Sequence, residues 1–202
     1  MYEVYLSGIP MQRMDKKNLY KPKNYENEYN VRTCFPIIPI MNMNRGSLED
    51  KKIITIRAKN SDTDYNMPIF RNEVHQAVGE NGARAEIIDI SAPEDQLEIV
   101  NGGFLMKIID AIPDDSLIFA DITYGTKTMS VMLVYALLMV EKMKDAEVRG
   151  IYYGELVRQN RVIMNRFSYD ITKLMRLFNA IESLDTLGIS DKKRMIEKIF
   201  GL

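Results

Sequence analysis

Cysteine is nearly absent from the 202-residue chain. Cys34 stands alone, so no disulfide forms within it, and such usage belongs to a reducing compartment. Histidine is equally scarce. His75 has neither a second histidine nor a cysteine cluster to join it, so no metal site is expected, and its place in a helix-patterned stretch gives it a structural or surface role. Neither sign of charge is in excess: 27 Lys and Arg against 28 Asp and Glu leave a formal net charge of -1. The basic footprint of a protein that coats long nucleic acid is missing, and any nucleotide must be held by a local pocket. No apolar run approaches the roughly 20 residues that span a bilayer, so no membrane partner is expected. The opening Met1-Tyr2-Glu3-Val4 carries no signal-peptide pattern, which makes the expected location cytoplasmic. After the first apolar strand only Ser7-Gly8 stands where a dinucleotide enzyme carries Gly-x-Gly-x-x-Gly, which argues against nicotinamide chemistry and any cofactor.

What is present is the composition of a globular domain, 46% hydrophobic and 27% charged, with length for one good-sized domain. Its most informative stretch is Asp121-Ile122-Thr123-Tyr124-Gly125-Thr126-Lys127-Thr128-Met129-Ser130. An apolar run, Ser116-Leu117-Ile118-Phe119-Ala120, leads in, and an apolar helix pattern over 129–140 leads out. That is strand, tight polar turn, helix N-terminus. Free backbone N–H groups and the positive end of the helix dipole converge at such a turn. Thr123, Thr126 and Thr128 add hydroxyls, Gly125 lets the backbone come close, and Lys127 adds a full charge. Thr126 as a plain N-cap and Gly125 as a plain positive-φ residue account for part of this pattern. Lys127 is different, because the dipole disfavours a cation there and a bound anion explains it. The turn is therefore a candidate phosphate site.

In chain order, strands are expected at 2–6, 52–57, 84–90, 116–122 and 148–153, with an antiparallel edge strand at 161–167. Helices are expected from Pro36, over 65–80 (closed by Gly79 and Gly82), over 93–112 with a bend at Gly102-Gly103, and over 126–144. Two more, 171–187 and 190–200, close the chain around Gly188. Residues 11–30 read as a long exposed loop. Strands alternating with helices over 52–156 imply a mainly parallel sheet with helices on both faces. The first strand delivers Ser7, Gly8, Ile9 and Pro10 to its carboxyl edge, and the second delivers Lys59 and Asn60. Ligands of open α/β sheets collect at that edge. The helix after Lys127 is apolar almost all round, so it must be covered on more than one side. The cover is either a second copy of the chain or the C-terminal helices.

These pieces resemble a CARF domain, the CRISPR-associated Rossmann-fold sensor. Asp121-Ile-Thr-Tyr-Gly-Thr-Lys-Thr-Met is similar to the family's D/N-x-T-x-G-T/F-K/R turn. Val148 to Leu156, with Ile151-Tyr152-Tyr153-Gly154-Glu155-Leu156, resembles the strand that follows, and Tyr5-Leu6-Ser7-Gly8 the first strand and its ligand loop. The resemblance covers about residues 1–170 and implies an α/β, Rossmann-like fold, with a sensor domain at 1–168 and a short C-terminal helical extension or connector at 169–202. It further implies a homodimer that binds a cyclic oligoadenylate, above all cyclic tetra-adenylate, in type III CRISPR antiviral signalling. Lys127 and the N–H groups after Gly125 (Thr126, Thr128) would take phosphates. Ser7 to Pro10 would sit near ribose or base, with Tyr124 in the turn and Tyr153, Gly154 and Glu155 at the pocket wall.

Some members cut their own ligand without metal, the ribose 2′-OH attacking the adjacent phosphate. Lys127, Ser7 and Thr123 are the candidate catalytic donors for such ring-nuclease activity, and Glu155 is the one nearby candidate base. Relatives usually carry an effector. The 35 or so residues after Phe167 show a buried helical pattern without a catalytic set, so the expectation is a stand-alone sensor, a ring nuclease, or the sensor half of a longer protein. Lys192, Lys193, Arg194 and Lys198 leave open a DNA-binding regulator, although a recognition helix needs partners this chain lacks.

Overall fold

The computed structural model describes residues 1–28, 31–44, 50–78, 84–100, 102–159, 162–182, 188, 191, 193–194 and 197–198. The first strand, β1 (Tyr2–Gly8), is buried on both faces, as an interior strand of a covered parallel sheet is. Val4 and Leu6 enter one core and Tyr5 the other, all with no exposure. It lies inside the sheet, between β7 and β5. The strands β5 (Asp50–Arg57), β6 (Ala85–Ser91), β7 (Ser116–Asp121) and β8 (Ala146–Gln159) run parallel to it, and β9 (Val162–Asp170) turns back antiparallel on β8. Across the sheet the order is β3-β9-β8-β7-β1-β5-β6, where β3 is the short strand Lys21–Pro22. The protein therefore has an α/β, Rossmann-like fold: a mostly parallel seven-stranded sheet with helices on both faces and a short C-terminal helix. The two other short strands, β2 (Asn18–Leu19) and β4 (Arg32–Thr33), pair with each other.

Helices α1 (Ile37–Met43) and α2 (Ser61–Val78) cover one face. On the other lie α3 (Gln96–Val100), α4 (Gly103–Ala111) and α5 (Lys127–Met143), joined by Met175 of α6 (Thr172–Glu182). The order of elements matches the sequence pattern, and the departures have local causes. α2 starts four residues before the expected 65, because Asn60 Oδ1 accepts the Thr63 N–H and caps the helix earlier. The expected single helix over 93–112 is two helices. Gly102 adopts φ +80 as the N-cap of α4, a left-handed conformation that ends a helix rather than bending it. β8 runs six residues beyond the expected end at 153, since β9 supplies hydrogen-bonding partners there. Gly79, Gly82 and most of the expected helix over 190–200 lie outside the described residues.

Residues 11–28, the described part of the expected 11–30 loop, are not a free loop. Buried Asn66 of α2 donates to the carbonyls of Pro10 and Gln12 and accepts the Met14 N–H, and Lys17 pairs with Glu73 at 3.2 Å. Further on, β3 joins the sheet against β9, and Tyr25 Oη donates to Ser168 Oγ. The segment is a strap crossing the carboxyl ends of the strands. Among the described residues no helix is long and apolar enough to cross a membrane.

One contact sets the tightest tolerance. The carbonyl oxygen of Tyr124, in the turn after β7, occupies the space that a Cβ on residue 8 would need. Gly8→Ala is expected to cost about 1–3 kcal/mol of stability through backbone displacement. Gly103→Ala, where a Cβ meets nothing within 4 Å, is expected to be neutral or stabilising. Denaturant unfolding of the two variants checks the contrast, and equal effects would contradict it.

Candidate functional site

In chain order from β1 the sheet grows first to one side, through β5 and β6, and then to the other, through β7 and β8. The direction reverses between β1 and β7, and the carboxyl ends of those strands mark where such sheets hold ligands. Ser7-Gly8 and Asp121 stand at that point, paired in register as Ser7 opposite Asp121.

Asp121 is wholly buried. Thr123 gives it two hydrogen bonds, from its N–H at 3.0 Å and from its hydroxyl, both to Oδ1. Ser7 Oγ lies 3.2 Å from Oδ2 and equally near the Gly8 carbonyl. Thr123 Oγ1 in turn accepts the N–H of Gly154 at 2.7 Å. One carboxyl group thus ties together β1, the turn and β8. Gly154 must be small here, because a Cβ would lie 2.9 Å from both Thr123 Oγ1 and Pro36 Cγ. Loss of water pushes the Asp121 carboxyl up to about 6, against the opposing pull of the bonds from Thr123 and Ser7.

Past Tyr152 strand β8 has left β7 behind, and the β8–β9 hairpin overhangs the sheet edge. The overhang, the strap and the turn enclose an open cleft of about 1180 Å³. Its walls are 10–16 and Asn18 from the strap, Thr123, Tyr124 and Gly125 from the turn, and Tyr153, Gly154, Glu155, Leu156 and Arg166 from the hairpin. A hydrogen-bond chain braces the base: Arg166 Nη1 donates to Tyr20 Oη at 3.1 Å, Tyr20 and Tyr124 hydroxyls meet at 2.7 Å, and Tyr124 Oη donates to the Cys34 carbonyl at 3.0 Å. Burial raises both tyrosines above their ordinary range, so they act as neutral hydroxyls. Burial likewise pushes the Cys34 thiol up to about 11, which keeps it protonated and unreactive.

Of the residues singled out from sequence, Pro10, Thr123, Tyr124, Gly125, Tyr153, Gly154 and Glu155 line this one cleft. Ser7, Gly8 and Ile9 lie just beneath it; Ser7 and Ile9 are almost fully enclosed. Thr126 caps α5 by accepting the Met129 N–H at 3.3 Å. Lys127 is exposed on the first turn of α5 with Thr128 beside it, and neither lines the cleft. Lys59 and Asn60 lie past the end of β5, with Asn60 engaged in capping α2. The structure does not gather Ser7, Thr123 and Lys127 into one set: the two hydroxyls face Asp121 and the lysine faces solvent. Asp121, Tyr20 and Arg166 were not singled out. An arginine inside a strand pattern was the available signal for the last of these. Among the described residues no cluster of His, Cys, Asp and Glu suits a metal ion.

The raised Asp121 carboxyl carries a pH signature. A folded-state value above that of the unfolded chain means the native protein holds its proton more tightly, so the stabilisation is full below about pH 4 and is lost as pH rises to about 6. Two units correspond to about 3 kcal/mol. Asp121→Asn keeps the shape and removes the titration. Its stability is expected to match or exceed wild type at pH 8, with that margin shrinking by up to about 3 kcal/mol between pH 6 and pH 4. Urea unfolding across that range reads it, and a margin independent of pH would contradict the assignment.

No protein-family model matches the chain, and no curated protein matches it. Among solved structures the chain is similar to Enterococcus italicus Csm6 bound to cyclic hexa-2'-fluoro-hexa-dAMP. The identity is 12% and the TM-score 0.41, over 97% of this chain and 44% of that one. The chain thus spans less than half the length of that protein.

Proposed function

We propose that the protein binds a cyclic oligoadenylate, with cyclic tetra-adenylate the first candidate, as the sensor of a type III CRISPR antiviral response. The observation that carries this reading is the cleft itself. It sits at the carboxyl edge beside the strand-order reversal, and seven of the fifteen residues singled out from sequence as ligand-binding stand in its walls.

Its chemistry suits a short run of nucleotides. The turn supplies backbone N–H groups, Gly125 at φ +119 lets a ligand approach the main chain, and Arg13, Lys16 and Arg166 bring positive charge to the walls. Tyr153 is 43% exposed at the lip, where a ring offers a base a stacking platform. The Lys127 side chain forms no ion pair or hydrogen bond among the described residues, so its charge is available near the turn. A homodimer fits the ligand, because a ring of identical nucleotides has the two-fold symmetry that two equal clefts would match. The apolar groove between α5 and α6 supports such pairing, with Val131, Tyr135 and Leu174 each more than half exposed along it.

Calorimetry with linear and cyclic oligoadenylates of four and six units tests the reading. A cyclic form is expected to bind far more tightly than its linear counterpart, at one ring per two 23.4 kDa chains. Tyr153→Ala is expected to weaken it by about tenfold through lost stacking. Equal weak binding of every oligonucleotide would overturn the proposal.

A further inference from the structure

Arg166 stands out once the ion pairs are followed around the cleft. It is 7% exposed and carries a charge that no protein environment removes. Nη1 donates to Tyr20 Oη, Nε is shielded from solvent without a partner, and Arg166 forms no ion pair among the described residues. Both carboxylates in the cleft walls are engaged elsewhere: Asp15 with Arg13 at 3.0 Å, and Glu155 as acceptor of the Tyr169 hydroxyl at 2.7 Å. A buried cation without a counter-charge is costly, and unlike lysine it cannot escape by shedding its proton.

We propose that Arg166 is the phosphate seat of the cleft: an arginine held by Tyr20 through one nitrogen, with its remaining edge left for two oxygens of a phosphate or phosphodiester. With Nη1 committed to Tyr20, the edge left without a partner is Nε with Nη2; Nε is shielded from solvent, so a phosphate that takes both atoms displaces what covers Nε. That edge matches the spacing of two phosphate oxygens, as a single ammonium does not. The ring of Tyr20, its centroid 5.6 Å from the guanidinium carbon, backs the same group and limits its swing. The seat rises from β9 and is braced by the strap through Tyr20, so a ligand there would touch both walls of the cleft at once. For the oligoadenylate identity this rests on the function proposed above; for an anion it does not.

Thermal unfolding with increasing pyrophosphate, and calorimetry with cyclic tetra-adenylate, separate the two ideas. Wild type is expected to be stabilised by pyrophosphate in a saturable way. Arg166→Met is expected to melt at or above the wild-type temperature without ligand, because an unmatched buried charge has been replaced by an apolar chain of similar length. It should lose the pyrophosphate response and bind cyclic tetra-adenylate about tenfold or more weakly. Tyr20→Phe, which keeps the charge and frees the guanidinium, should weaken both by a smaller factor.

A wild-type pyrophosphate response in Arg166→Met would overturn the seat. Should Arg166→Met not fold, Arg166→Lys decides: unchanged affinity for both probes overturns the seat, and loss of both supports it. Tight cyclic tetra-adenylate binding that ignores every Arg166 variant would overturn the seat and leave the proposed function standing. An Arg166-dependent pyrophosphate response without oligoadenylate binding would keep the seat and overturn the oligoadenylate reading.

Discussion

A carboxyl group shut away from water at the end of β7 holds together the strands and the turn around the cleft. Asp121 receives bonds from Thr123 in the turn and Ser7 on β1, and Thr123 passes the link on to the Gly154 N–H on β8. Its burial is unfavourable in isolation, and three hydrogen bonds offset only part of that cost, as the raised proton affinity records. The consequence is rigidity. The turn cannot move without stranding a buried acid, and β8 cannot slide without losing the same network. A binding loop fixed to its sheet in this way meets a ligand with little ordering left to do.

The rest of the cleft follows from where the strands stop. β7 ends at Asp121, whereas β8 continues to Gln159 because β9 returns alongside it. That difference in length makes one wall. The strap makes the other, pinned at one end by Asn66 and Lys17 and at the other by pairing with β9. Between them lie a glycine-bearing turn, an exposed tyrosine and a buried arginine. The arrangement sets backbone donors beside three cationic and two anionic side chains, in a protein whose formal net charge is only -1.

Much of this was legible in the sequence, for physical reasons. Period-two and near-continuous apolar runs report strands enclosed on both faces, and the apolar segment after Lys127 reports a helix in the core, so element order and fold class could be read directly. The turn at 121–128 was legible because glycine, threonines and a lysine set against the helix dipole rarely coincide without cause. What stayed hidden depends on distant residues meeting. Nothing local says that Ser7 and Thr123 turn their hydroxyls to Asp121, or that Lys127 faces solvent while Arg166, forty residues further on, comes to the cleft. The strap over 11–28 read as a loop because its order comes from single long-range bonds to Asn66 and Glu73, which leave no periodic trace.

The central claim is that this cleft, organised by Asp121, receives the phosphates of a small cyclic oligonucleotide. Crystals grown with and without cyclic tetra-adenylate give the most direct measurement, through the difference density between them. The account predicts phosphate density bounded by Thr123 to Gly125, Tyr153 to Leu156 and Arg166, with a second copy of the chain closing the other half of the ring. Density seated elsewhere on the molecule, or a saturated soak that leaves the cleft filled with solvent alone, would contradict it.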